Sequence, residues 1–140
     1  MKKIVLFLIF ILIFISLFAQ YDSLWAKTYG GGAIDKCYSV IETSDSCYLL
    51  AGYTSSYGAG SYDYWLVKTD MNGDTLWTKT YGGSSYEECH SLIETNDSNY
   101  LLVGVTTSYG AGNYDYWILK VAIMMPPAQF SIIPNYDYIS

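Results

Sequence analysis

Positive charge is scarce in this chain. Its 140 residues hold seven Lys and Arg against thirteen Asp and Glu, a net charge of −6. So small a basic complement excludes a nucleic-acid footprint. Histidine occurs once, at His90, which leaves little for a metal cluster or a proton relay. No G-x-S-x-G elbow presents a serine to it. Asp70, Asn72 and Asp74 alternate like the start of a calcium loop, but Thr75 and Tyr81 stand where that loop needs glycine and an acid. We expect a hairpin with Asx turns there, and no catalytic residue, metal or cofactor in the chain. Cysteine is limited to Cys37, Cys47 and Cys89, an odd count that leaves at least one thiol unpaired. Apolar spacing of 3.6 is missing as well, so no helix is expected after the N-terminal run.

No apolar stretch is long enough to span a bilayer. Ile4 to Phe18 is apolar but for Ser16 and runs for 15 residues, short of the ~18–20 a spanning helix needs. With Lys2 and Lys3 before it and Ala19-Gln20 after, residues 1–19 read as a secretory signal peptide cut after Ala19. The run is followed by no lipid-accepting cysteine. Cleavage removes two lysines and takes the charge from −6 to −8, which disfavours anionic surfaces as partners. The expected address is secreted or cell-surface, with no membrane attachment after cleavage.

What the chain does have is a repeat. Trp25 to Lys68 returns as Trp77 to Lys120 with no gap, and 28 of the 44 positions are identical. Lys27-Thr28-Tyr29-Gly30-Gly31 recurs as Lys79-Thr80-Tyr81-Gly82-Gly83, and Tyr62-Asp63-Tyr64-Trp65 as Tyr114-Asp115-Tyr116-Trp117. A fixed period near 50 residues suits one propeller blade. The expected organisation is a leader at 1–19, two 52-residue β-repeats within 20–121 (25–76 and 77–121), and a tail at 122–140 that is irregular or a truncated continuation. Pro126-Pro127 rules out a central strand in that tail.

Alternation within each repeat predicts strands at Asp22–Tyr29, Cys37–Thr43, Tyr48–Thr54, Tyr62–Thr69, Thr75–Tyr81, Cys89–Thr95, Tyr100–Thr106 and Tyr114–Val121. Asn72-Gly73 supplies the positive φ values of a tight hairpin. The first strand is expected either to belong to a preceding blade or to close on Tyr114–Val121. Two four-stranded antiparallel sheets with open edges result, and open edges invite self-association or further repeats. In such meanders alternate connections share an end. The Tyr/Gly/Ser loops Ser55–Ser61 and Thr107–Asn113 should therefore open together, opposite the tight turns.

The runs Trp77-Thr78-Lys79-Thr80-Tyr81-Gly82-Gly83, Asp97 with Tyr100-Leu101-Leu102-Val103-Gly104, and Asp115-Tyr116-Trp117-Ile118-Leu119-Lys120 resemble the tandem β-propeller-type repeats of proteins secreted by Bacteroidetes-like bacteria. That resemblance implies four-stranded blades, export and a partial propeller, but no activity. The chain departs from the family in having Asp45-Ser46-Cys47-Tyr48 and Asp97-Ser98-Asn99-Tyr100 in place of D-G-G-Y. It also carries only two units. Gly73-Asp74-Thr75-Leu76-Trp77 is similar to the tryptophan-docking motif of quinoproteins and, in its turn position, to the Asp-box of sialidases. Both likenesses imply fold, not chemistry.

Tyr57, Tyr62, Tyr109 and Tyr114 are the candidate ligand-binding residues, since tyrosine among glycine and serine gives rigid contact area at low entropic cost. An extracellular glycan or protein would suit them; the competing reading is that these rings staple the loops. Acidic residues recurring in register (Asp35 with Glu87, Glu42 with Glu94, Asp63 with Asp115) are expected to fasten turns. The function so indicated is a non-enzymatic scaffold or binding module. A glycan-binding lectin or adhesin is the alternative, and a glycosidase- or quinoprotein-like enzyme fragment comes third.

Overall fold

The computed structural model describes residues 22–122. The leader, and the tail from residue 123 onward, lie outside the described residues. Seven strands form: β1 (Asp35–Thr43), β2 (Cys47–Thr54), β3 (Asp63–Thr69), β4 (Thr75–Tyr81), β5 (Glu87–Glu94), β6 (Tyr100–Thr106) and β7 (Asp115–Val121). They make two antiparallel meanders, β1-β2-β3-β4 and β5-β6-β7. No helix interrupts them among the described residues.

Two sequence expectations need correction. Asp22–Tyr29 forms no strand, and the second sheet has three strands rather than four among the described residues. Both follow from partners. β4 pairs with β3 across the Asp70–Asp74 turn, whereas among the described residues Asp22–Tyr29 has no strand ahead of it to turn back on. The sequence copy also ends at Lys120, so the Asp70–Asp74 turn has no copied counterpart. The sheets consequently span 35–81 and 87–121, later than the sequence frame of 25–76 and 77–121.

Alternation assigns the faces. Tyr64, Leu66 and Lys68 stand on one side of β3, paired with Tyr53, Ala51 and Leu49. Trp65 and Val67 stand on the other, paired with Gly52 and Leu50. The sheets stack through unlike sides: the Tyr64 face of the first meets the Trp117 face of the second. Leu49, Ala51, Tyr64 and Leu66 enclose one core with Cys89, Leu92, Tyr100 and Leu102. Tyr64 donates a 3.1 Å hydrogen bond to the Trp117 carbonyl. It passes over Gly104, where a Cβ would lie 2.7 Å from its hydroxyl. Burial of the leucines in this core is worth roughly 1.5–3 kcal/mol each.

The turns differ in detail from expectation. In Asp70–Asp74 only Gly73 takes a positive φ, of 77°. Asp70 Oδ1 accepts from the amides of Asn72 and Asp74, each at 2.8 Å, so an Asx turn replaces the second left-handed residue. Ser46 and Ser98 adopt φ of 57° and 58°, at the second position of the D-S-C-Y and D-S-N-Y turns. The equivalent cysteines Cys37 and Cys89 differ in exposure. Cys37 is exposed while Cys89 is buried, because only Cys89 has a sheet packed over it.

Candidate functional site

The long loops gather at one end of the stack, as parity requires. Ser61 donates to the Ser85 carbonyl at 2.7 Å, Glu87 to the Tyr62 carbonyl at 2.9 Å, and Thr107 to the Tyr86 carbonyl at 2.8 Å. Carboxylates fasten these loops from within. Asp35 accepts from the Gly31 amide at 2.9 Å, from Ser56 Oγ at 2.8 Å and from Thr54 Oγ1. Glu87 does the same in the second repeat, with the Gly83 amide and Thr106 Oγ1 at 2.8 Å and the Ser108 amide at 3.1 Å. Burial alone would raise both pKa values. The hydrogen bonds outweigh it and hold both groups below the usual carboxylate range. Buried Asp63 takes the Gly60 amide at 3.0 Å.

Tyr57 and Tyr109 occupy equivalent places. Each hydroxyl donates at 3.1 Å to a glycine carbonyl, Gly30 or Gly82. Each ring leans on the tryptophan of its own repeat, with centroids 5.5 Å from Trp65 and 5.2 Å from Trp117. Both rings are about half exposed. They therefore staple the loops and still present a face.

Tyr62 and Tyr114 belong to a different constellation. Tyr53, Tyr62, Tyr86 and Tyr114 follow one another edge to face at 4.8, 4.8 and 5.8 Å. Tyr38 extends the row from Tyr53 at 5.9 Å and stacks on His90 at 5.3 Å, their planes 9° apart. Tyr38 and His90 are repeat equivalents. Each lies at a register shift, between Cys37 and Ser39 or between Cys89 and Ser91. Such bulges re-aim a side chain. Glu88 accepts from the Tyr86 hydroxyl and lies 3.5 Å from His90 Nε2. Burial first, then the Glu88 contact, pushes the Tyr86 phenol well up. The Lys36 ammonium lies 5.6 Å from the Tyr53 ring centroid. Sequence reasoning missed Tyr38, Tyr53 and Tyr86 in this row. Only Tyr38, as the partner of His90 in the 52-residue shift, left a trace in the sequence.

At the opposite end Lys68 is buried, bonded to Asp45 at 2.6 Å and to the Tyr100 hydroxyl at 3.1 Å. Burial opposes its charge, but these two bonds more than offset that and raise its pKa. Glu94 ties the repeats together by accepting from Ser44 N and Oγ, at 2.8 and 2.6 Å.

Among the described residues no group of three or more His, Cys, Asp or Glu is placed to hold a metal ion, and no helix is long and apolar enough to cross a membrane. Compared with protein-family models and with curated protein sequences, the chain matches none.

Proposed function

We propose that this chain is a non-enzymatic repeat scaffold, exported and working outside or at the surface of the cell, that binds through its long-loop end. One observation carries the reading. The carboxylates that fasten the loops are committed to the protein's own backbone, as are two of the tyrosines: Asp35, Glu87 and Asp63 accept loop amides, and Tyr57 and Tyr109 bond to glycine carbonyls. Aromatic surface stays open on Tyr38, Tyr57, Tyr109 and Tyr114, with His90 half exposed beside Tyr38. Carboxylates held ionised by several donors suit fastening better than proton transfer. Export is supported by the charged start, the 15-residue apolar run and Ala19, and by the resemblance to surface-protein repeats.

A glycan is the second reading, favoured by the half-exposed loop rings of Tyr57 and Tyr109. Rings with hydroxyl edges match the apolar faces and hydroxyls of sugars. A glycan array probed with the chain lacking its leader should give a signal that Tyr57→Ala plus Tyr109→Ala abolishes. A signal untouched by that pair would move the site off these loops. Turnover of a glycoside by the purified chain would overturn the non-enzymatic reading itself.

A further inference from the structure

The two repeats meet through unlike faces, and each leaves one of that pair unmatched. Tyr64 is 0% exposed at the interface, while its equivalent Tyr116 is 91% exposed on the outer face of the second sheet. Leu66 is likewise buried and its equivalent Ile118 is 64% exposed. The other face shows the converse. Leu92 is 3% exposed between the sheets, and Val40, its equivalent on the first sheet, is 60% exposed. Cys89 is buried and Cys37 exposed. Near-identical surfaces are thus covered in one repeat and open in the other, as at the two ends of a stack.

The edges are incomplete in the same sense. β3 has β4 beside it, whereas β7 has no further strand among the described residues. The sequence copy of β4 is Ser23–Tyr29, which here pairs with no strand. Its Trp25 and Tyr29 lie over the open face of the first sheet: Trp25 is 6.3 Å from Tyr48 between centroids, and the Tyr29 hydroxyl is 2.7 Å from the Gly73 carbonyl. Above them is a hollow of about 60 Å³ lined by Tyr29, Cys37, Leu50, Gly52, Trp65 and Val67.

We propose that the occupant of these surfaces is a second copy of this chain, docked head to tail so that the internal step between repeats is taken again between molecules. The partner's Trp65 face covers the Tyr116 face, and the partner's Ser23–Tyr29 segment adds to β7 as its fourth strand. The register follows from the pairs Lys68–Trp77, Leu66–Lys79 and Tyr64–Tyr81. Lys120 then lies opposite the partner's Trp25, Ile118 opposite the partner's Lys27, and Tyr116 opposite the partner's Tyr29. Tyr116 enters the hollow beside the partner's Gly52 and donates to the partner's Trp65 carbonyl, as Tyr64 does to Trp117 beside Gly104. Strand addition supplies backbone hydrogen bonds, and the faces supply apolar burial. Tyr38 and His90, already stacked within one chain, would alternate along the assembly. The contact is heterologous, so it closes into a ring or runs on as a fibre. About four to eight blades close a propeller, which corresponds to about two to four copies. This inference rests on sheet stacking and is independent of any loop ligand.

Sedimentation velocity of residues 20–140 over a range of concentrations tests it. The parent chain should associate. Ile118→Asp and Val40→Asp, both at exposed positions, should keep the far-ultraviolet spectrum of the parent and each be monomeric, with Tyr116→Ala as a second probe of the Ile118 surface. Mixing the two Asp variants should restore a 1:1 dimer and nothing larger, because one intact pair of faces remains between them. A parent that stays monomeric would overturn the proposal, as would dimerisation of each Asp variant with itself. Association appearing only after removal of residues 123–140 would overturn it too, by making the tail the occupant.

Discussion

The Tyr64 hydroxyl reaches across the two sheets to the backbone of Trp117, 3.1 Å away, with the two rings 4.7 Å apart. Tyr64 and Trp117 are not repeat equivalents. Each stands next to the other's equivalent, Trp65 and Tyr116, and this offset makes the stack directional.

Tyr64→Phe removes a buried donor and keeps the ring, so it should cost about 0.5–1.5 kcal/mol. Tyr64→Ala, which empties a core site, should cost about 3–5 kcal/mol. Tyr116→Phe should lie within about 0.5 kcal/mol of the parent when measured by urea denaturation in the monomeric Ile118→Asp background. Equal losses at the two positions would contradict the assignment of inner and outer faces.

Lys68 and Lys120 form a second matched pair. Each bonds an aspartate at 2.6 Å, Asp45 or Asp97, but only Lys68 is buried and shared with a buried tyrosine hydroxyl. Lys68→Met should cost about 1–3 kcal/mol, since it strands Tyr100. Lys120→Met should cost less than about 1 kcal/mol, as exposed pairs do. The order of the two denaturation midpoints checks this.

Acid should loosen the long-loop end. Asp35 and Glu87 have folded pKa values below their ordinary ones. Their contribution is therefore complete above the unfolded values of about 4 and is lost as pH falls through the folded ones. The melting temperature should hold above about pH 5 and fall below about pH 4. Protection factors at the Gly31 and Gly83 amides should fall with it. Glu87→Gln should flatten the part of that dependence due to the second repeat.

The thiols should separate by burial. Cys37 is exposed, whereas Cys89 is buried with its thiol pushed up to about 12 by desolvation. In native Ile118→Asp protein a maleimide reagent should label Cys37 promptly and leave Cys89 unmodified until urea is added. Prompt labelling of Cys89 would mean that the sheets do not pack as described.

Much of this architecture was legible because a copied segment makes every periodicity argument twice. Strands β2, β3, β4, β6 and β7 fall within a residue of where alternation places them. The failures share one cause: they depend on a partner. Asp22–Tyr29 has a strand's pattern but, among the described residues, no strand beside it. The bulges that turn Tyr38 and His90 onto each other exist only in register with β2 and β6. Lys68 and Lys120 read alike in sequence and differ because a sheet covers one of them. The loop tyrosines could be placed at one end by parity, but the split between stapling rings (Tyr57, Tyr109) and the Tyr38–Tyr114 row required three dimensions.

The central claim is that one small sheet is built twice and stacked through unlike faces. Two-dimensional NOE spectroscopy on the Ile118→Asp chain tests it most directly. Cross-peaks should link the Tyr64 ring protons to the Trp117 ring and to the Gly104 Hα protons, with Tyr116 showing no counterpart to Gly52. A spectrum in which Tyr64 meets Tyr116 or Ile118 across the sheets, or sees neither Trp117 nor Gly104, would contradict it.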